Sequence, residues 1–470
     1  MISIQRLFDL ISVFYISYLI IFAIFSIIAV IIGARKLHKE DVFAEAFQDK
    51  LDYNNFPVSI LVPAYNEDVF IIESINSILA LDYMAYEIII IDDGSTDKTA
   101  EALIEEFKLK KSNRTINHDL YSQKVNAIYE NTVNGINVIL ISKENGGKGD
   151  ALNVGINYSS HPYFISMDAD SYLKKNAIKE IIKPVFWKKN TVAVGGMILI
   201  SQCMKTATSG ETEYKLTSNL LVGLQAVEYN RSFFASRIFM DAFNGNLIIS
   251  GAFGLFEKST AILAGGYSIT NLGEDMELVM KIHRYCRNNK IEYQMGYQPN
   301  AICMTQVPMK IKDLLTQRRR WYLGLFQSLT QHKKMLFNFK FGLISVFSYL
   351  YYLSYELLAP FIEIFGITTI VIASYLGFLN PGYMITFLVI YALFGSVVTL
   401  TSFSQIIYIQ KSKISFWDIY KAFFYCVIEF VIFRYLLVLA RIYFMITYKR
   451  KKDEWGSIER VSGEDAEVEA

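Results

Sequence analysis

The sequence predicts an α/β domain built on a mostly parallel, Rossmann-like sheet and flanked by transmembrane helices. Hydrophobic residues make up 53% of the 470 and charged residues only 19%, against roughly 25% charged in soluble domains. With a mean hydropathy of +0.27, that composition is a membrane protein's. Long uncharged blocks lie on either side of a polar region, and from Pro57 that region alternates short β-branched runs with amphipathic stretches, the signature of βαβ units.

Leu10 to Ala34 carries no charge and exceeds the about 20 apolar residues needed to cross a bilayer. It is too long for a signal-peptide core and no small-residue cleavage site follows, so residues 1–36 are expected to form an uncleaved anchor. Arg35, Lys36, His38 and Lys39 follow it, which places residues 50–335 in the cytoplasm by the positive-inside rule. In that domain the strands are expected at Val58–Val62, Ile88–Ile91, Val138–Ile141 and Tyr163–Met167, and helices at Val69–Ala80, Lys98–Lys108 and Ala151–Tyr158. Lys110 to Gly135 is polar and reads as a surface excursion.

Phe341 to Gln410 holds two charged residues, Glu356 and Glu363, and accommodates two spans broken at Pro360 and at Asn380-Pro381-Gly382. Ala422 to Tyr448 contains Glu429, Arg434 and Arg441; ionisable groups at that depth either line a wet cavity or snorkel. Residues 341–448 are thus transmembrane or interfacial, and residues 449–470 form a polar tail. Lys449–Lys452 favours a cytoplasmic end, which three spans after a cytoplasmic domain would not give. Either Phe341–Leu379 makes two short passes, or the last helix does not cross, or the rule fails.

Several chemistries are excluded. Cys203, Cys286, Cys303 and Cys426 lack zinc-ligand or disulfide spacing and read as buried thiols. No H-E-x-x-H is present, and a net charge of +1 gives no nucleic-acid footprint. Gly146-Gly147-Lys148-Gly149-Asp150 lacks the Ser or Thr of a Walker A loop, and no G-x-G-x-x-G opens the sheet.

Ligands of open parallel sheets bind at the carboxyl ends of the strands. The residues there are Pro63-Ala64-Tyr65-Asn66-Glu67, Asp92-Asp93-Gly94-Ser95 and Asp168-Ala169-Asp170. Converging carboxylates repel unless a cation lies among them, and Asp168 with Asp170 offers hard oxygen ligands to Mg²⁺ or Mn²⁺ bridging substrate phosphates. The glycines before Lys148 let backbone approach a phosphate at a helix start. Asp275 opens a helix after Gly273-Glu274 and suits a general base, while Gln317-Arg318-Arg319-Arg320-Trp321 supplies cations for a departing diphosphate and an aromatic face for a sugar ring.

In order, V-P-A-Y-N-E, D-D-G-S, G-G-K-G-D-A-L-N, D-A-D, G-E-D and Q-R-R-R-W between Pro57 and Trp321 resemble family 2 (GT-A) membrane glycosyltransferases of the processive kind, such as cellulose, chitin, hyaluronan and poly-N-acetylglucosamine synthases. The resemblance implies a metal-dependent, inverting enzyme of the plasma (inner) membrane, multi-pass, that moves sugar from a UDP-sugar to a growing polysaccharide and passes the polymer through the membrane. By the same resemblance Tyr65, Glu67, Asp92 or Asp93, Lys148, Asp168, Gln317 and Arg320 hold the nucleotide-sugar, and Asp168 and Asp170 the metal. Asp275 is then the base, and Gly251, Ala252, Glu274 and Trp321 meet the acceptor. A glycolipid acceptor, as in ceramide or diacylglycerol glucosyltransferases, is the alternative; membrane lipid and accessory secretion subunits are the implied partners. Two departures stand out: the family's Thr before Glu-Asp is Gly273 here, and the about twenty residues after the last apolar block leave no expectation of a cyclic-dinucleotide-binding domain.

Overall fold

The computed structural model describes residues 4–47, 56–115, 117–206, 212–231, 236–379, 381–410 and 416–448. The strands are β1 (Val58–Ala64), β2 (Tyr86–Asp92), β3 (Lys110–Lys111), β4 (Val125–Val133), β5 (Ile136–Lys143), β6 (Tyr163–Met167), β7 (Ser171–Leu173), β8 (Thr191–Ile200), β9 (Met204–Thr206), β10 (Thr212–Tyr214), β11 (Phe253–Glu257) and β12 (Gln294–Thr305). Among the described residues ten of them form one sheet in the order β3-β4-β5-β2-β1-β6-β11-β8-β12-β7.

The helices of the α/β domain are numbered after the N-terminal α1 (Ile4–Phe47): α2 (Ile71–Leu79), α3 (Thr99–Glu106), α4 (Lys148–Tyr158), α5 (Ala177–Trp187), α6 (Leu220–Arg231), α7 (Ile238–Asp241), α8 (Lys258–Leu263), α9 (Glu274–Asn288) and α10 (Ile311–Gln331). Then come α11 (Ile344–Leu357), α12 (Ala359–Tyr375), α13 (Pro381–Gln410) and α14 (Phe416–Thr447). Helix α1 continues past residue 36, the expected limit of the anchor.

The centre of the sheet is parallel, β5-β2-β1-β6, because its strands are buried on both faces and read as near-continuous aliphatic runs. Ile60, Val62, Ile88 and Ile90 join one core cluster and Leu61, Ile89 and Ile91 the other, one on each side of the sheet. The register sets Ala64 beside Asp92 and Asp92 beside Ser142, so the polar turns after these strands share one edge. Strand β11 then pairs antiparallel to both β6 and β8, which makes the sheet mixed.

The polar stretch from Lys110 to Gly135 is not a surface excursion. Residues 125–133 form β4, antiparallel to β5. Asn134 and Gly135 take φ of 52° and 83° at the turn, as a two-residue type I′ hairpin requires. The register of β4 shifts between Val125 and Ala127, and with Asn126, Glu130 and Asn131 among its residues the strand shows no clean alternation in sequence.

Among the described residues three helices are long and apolar enough to cross a membrane, or four if α11 and α12, bent by 53° at their junction, count as one span. The chain is a membrane protein. Three of the charges inside its apolar blocks are in ion pairs: Arg231 of α6 donates to both oxygens of Glu429 at 2.8 and 2.9 Å, and Arg434 donates to Glu363 at 2.5 Å. Among the described residues, then, Glu429 and Arg434 hold helices together instead of snorkelling or standing as open cavity charges. All four cysteines are buried and free.

Candidate active site

The glycine-rich loop is fixed before it reaches the site. Lys143, wholly buried at the end of β5, forms ion pairs with Asp93 and, at 2.6 Å, with Asp150. Asp93 also accepts from the amides of Gly146 at 3.0 Å and Gly147 at 2.7 Å, and Asp150 accepts from the Gln123 amide at 3.0 Å. Burial pushes the Asp93 carboxyl above its ordinary range, against the pull of Lys143 and the two glycine amides. A charge triad of this sort costs desolvation and is retained only when each member is bonded. Asp92 accepts from the Ser95 amide at 3.0 Å and from Ser142 Oγ at 3.2 Å. Both carboxylates of D-D-G-S are thus buried and bonded within the protein, Asp93 to the glycine-rich loop and Asp92 to its own turn and to β5, where the sequence suggested a direct hold on the nucleoside. Tyr65 remains exposed, and the Glu67 amide donates to Thr99 Oγ1 at 2.9 Å.

Gly147, at φ 85°, caps α4 and turns the chain so that Lys148 starts the helix. Its Nζ lies 2.5 Å from Asp168 Oδ1 and 3.5 Å from Glu274 Oε1. Burial lowers the proton affinity of Lys148, but Asp168 and Glu274 outweigh it, and the net shift is upward, which keeps the ammonium charged. Burial raises Glu274, opposed by the charges of Lys148 and Arg320.

Asp275 is held from two sides. Its Oδ2 accepts from the Gly251 amide at 3.1 Å and its Oδ1 from the Met276 amide at 2.7 Å. Gly251 lies close against both groups: a Cβ there would stand 2.9 Å from Lys148 Nζ, which would have to shift, and 3.8 Å from Asp275 Oδ2. The Gly251 carbonyl accepts from Ser166 Oγ of β6 at 3.0 Å. Lys148, Asp168, Gly251, Ala252, Glu274 and Asp275 therefore converge at the carboxyl edge of β6, with Arg320 near enough for its charge to act on Lys148 and Glu274.

Gly273, the departure from the family's Thr, has a structural cause. Helix α10 packs its Gly324 against it, so that a Cβ on Gly273 would come 3.0 Å from Gly324 Cα and one on Gly324 2.6 Å from Gly273 N. The two backbones touch, and the helix that carries Gln317, Arg320 and Trp321 is brought onto the turn that presents Asp275.

Trp321 is 39% exposed. Arg318, which sequence reasoning did not single out, lies with its guanidinium 4.5 Å from the Trp321 ring centre and donates to both oxygens of Glu228 at 3.1 and 2.7 Å. Tyr229 packs beside Trp321, 5.8 Å between ring centres, and Arg318 lies 5.7 Å from the Tyr229 ring centre as well. Burial raises the Tyr229 hydroxyl, and the Asp170 charge acts in the same direction, which ties the D-A-D turn to the Trp321 side of the site. Gln317 Oε1 is buried without a hydrogen-bond partner among the described residues, an acceptor available to a ligand hydroxyl or amide.

Among the described residues no group of three or more His, Cys, Asp or Glu side chains could enclose a metal ion. Asp168 and Asp170, half-buried on one turn, instead fit a Mg²⁺ or Mn²⁺ that takes one or two carboxylates and completes its shell with water and substrate phosphates.

The model of glycosyl transferase family 2 matches residues 59–261, and that of glycosyl transferase family group 2 matches residues 163–440, more than half of the chain. A poly-β-1,6-N-acetyl-D-glucosamine synthase of Staphylococcus epidermidis is 29% identical over 322 residues, 68% of this chain and 65% of the relative. One from Staphylococcus aureus strain COL is 29% identical over 267 residues, 57% of this chain and 54% of the relative. The chain spans between about half and two thirds of the length of these curated relatives. A mannosyltransferase of Pyrobaculum calidifontis, solved with GDP-Man and Mn²⁺, aligns with 82% of this chain and 99% of its own at 16% identity and a TM-score of 0.49, too low to add to the assignment. With the motifs in order, a mixed GT-A sheet beneath them and both family models matching, the chain belongs to the family 2 glycosyltransferases, in glycosyl transferase family group 2.

Proposed function

We propose that this protein is an inverting polysaccharide synthase that adds N-acetylglucosamine from its UDP-sugar to a growing β-glycan on the cytoplasmic face of the membrane and passes the product through it. The observation that carries the proposal is the convergence of Lys148, Asp168, Gly251, Glu274 and Asp275 at the carboxyl edge of β6. The 29% identity to poly-β-1,6-N-acetyl-D-glucosamine synthases supports the choice of sugar.

Asp275 takes the proton of the acceptor hydroxyl as its oxygen bonds to the anomeric carbon, and the bond from that carbon to the diphosphate breaks on the opposite side. Lys148 and Arg320 meet the charge that develops on the departing UDP. Tyr65 and Glu67 line the nucleoside end, where Asp93 acts through the glycine-rich loop it fixes and Asp92 through the turn after β2. Asp168 and Asp170 hold Mg²⁺ or Mn²⁺, which when bound supplies positive charge against the diphosphate. Trp321 offers its exposed face to the acceptor sugar, held in orientation by Arg318 and Tyr229, and Gln317 accepts from a hydroxyl or amide of the bound sugars.

The test is incubation of the purified membrane protein with radiolabelled UDP-N-acetylglucosamine and Mg²⁺ or Mn²⁺. The expected product is a labelled polymer of many residues that stays in the aqueous phase. A product that carries one sugar and partitions into organic solvent would make the protein a glycolipid transferase instead.

A further inference from the structure

Helix α14 has the composition of a membrane span, yet both its ends are fastened to the catalytic domain. Near its start, Lys421 Nζ donates to Leu216 O and Ser218 Oγ, each at 3.4 Å, and Tyr425 Oη donates to Thr217 O at 3.1 Å. These residues lead into α6, where Gly223 leaves room for the Tyr425 ring; a Cβ there would fall 2.1 Å from it. At the other end, Arg441 lies 5.8 Å from the centre of the Tyr322 ring, and Tyr448, one residue past the helix, packs on Phe326 with 5.4 Å between ring centres. Both partners are on α10. Phe444 is buried in one cluster with Met276 and Met280 of α9, the helix that begins at Glu274 and Asp275.

A helix of 32 residues is about 48 Å long, and the hydrocarbon core it would cross is about 30 Å thick. Crossing puts the two ends on opposite sides of the bilayer, where one domain on one side cannot hold both. The other apolar helices behave differently. Along α1, Phe25 stacks on Tyr351 at 4.7 Å, Tyr15 on Phe365 at 6.2 Å and Phe8 meets Phe378 at 5.5 Å, so that α11 and α12 run antiparallel to α1 towards its N-terminal end. Helix α13 then returns, and Gln405 donates to Val30 O at 3.3 Å, beside Gly33, which faces Ile238 of the catalytic domain.

We propose that α14 does not cross the membrane but lies along the leaflet on the catalytic domain's side. Of its five charged residues Asp418 stands in the first turn, and the other four turn to protein: Lys421 to the loop before α6, Glu429 to Arg231, Arg434 to Glu363 and Arg441 to Tyr322. Its exposed stripe is apolar, with Phe416, Tyr420, Phe424, Ile432, Leu439 and Tyr443 at helical spacing. That stripe fits the boundary between headgroups and acyl chains, and the aromatic residues suit its polar edge. Three crossings remain, by α1, by α11 with α12, and by α13. Lys411, Lys413 and Lys449–Lys452 then all fall on the side of Arg35 and Lys36, as the positive-inside rule requires.

Single-cysteine labelling with a membrane-impermeant maleimide tests this in intact cells and in inside-out vesicles. The four native cysteines are buried, and the parent protein gives the background. The proposal expects Glu101→Cys on α3 and Ser457→Cys in the tail to label only in inside-out vesicles, and Leu379→Cys only in intact cells. Labelling of Ser457→Cys together with Leu379→Cys would put α14 across the bilayer, and labelling of Leu379→Cys together with Glu101→Cys would remove the crossings of α12 and α13; either overturns the proposal. A fluorescent-protein fusion behind Ala470, which matures only in the cytoplasm, reads the same side without a cysteine: fluorescence is expected, and a dark fusion with an active periplasmic reporter at the same position contradicts it.

Discussion

Replacing Asp275 by Asn is expected to lower kcat for sugar transfer by about 10²–10⁴-fold, the contribution of a positioned general base, while KM for the UDP-sugar changes by no more than about threefold. Asn keeps the shape of the side chain and can still accept from the Gly251 or Met276 amide, the two bonds that hold Asp275. What it loses is the capacity to take the acceptor's proton. Initial rates of UDP release measured against donor concentration separate the two effects. A loss below about threefold in kcat would move the base elsewhere, and Glu274, the neighbouring carboxylate with the raised proton affinity, would be the next candidate.

Lys143→Met has the second large effect, and on a different quantity. Lys143 is wholly buried between Asp93 and Asp150, whose side chains are 5% and 2% exposed. Removing the cation leaves two carboxylates buried without their counter-charge, and breaking a buried pair from one side costs about 3–5 kcal/mol. The variant is expected to unfold at a much lower temperature in detergent than the parent, followed by intrinsic fluorescence. Adding Asp93→Asn or Asp150→Asn to Lys143→Met removes one of the stranded charges and should recover part of the loss. If Lys143→Met melted with the parent, the triad would not hold the loop.

The parts of the fold that the sequence announces are those whose signal is local. Strands β1, β2, β5 and β6 are aliphatic runs because parallel strands are covered on both faces, and the motifs after them stand at one edge because the strands share a direction. Asp275 at a helix start, Gly251 beside it and Lys148 in a first turn all follow from short spacings. Strand β4 was missed because its Asn and Glu residues leave no clean alternation, although the Asn134-Gly135 turn behind it is a local signal. The supporting shell was not legible for another reason. Lys143 meets Asp93 fifty positions away, Arg318 meets Glu228 ninety away and Arg231 meets Glu429 at a separation of 198, and no spacing rule links residues so far apart. Gly273 stands out in the sequence only as a departure from the family's Thr; with Gly324 against it, it is what lets α10 approach the turn that carries Asp275.

The same contacts connect the site to the membrane. Helix α6 carries Glu228, which holds Arg318 beneath Trp321, and three residues later Arg231, which holds Glu429 of α14. Trp321, through Arg318, and α14 are thus fixed to one helix of the α/β domain.

The central claim is that Asp275 and the leaving diphosphate stand on opposite sides of the anomeric carbon, so that transfer proceeds by one displacement. The anomeric configuration of the bond made from UDP-N-acetylglucosamine, read by proton NMR on the isolated product, tests it most directly. The donor is α-linked, and the account predicts a β-linked product; an α-linked product would contradict it.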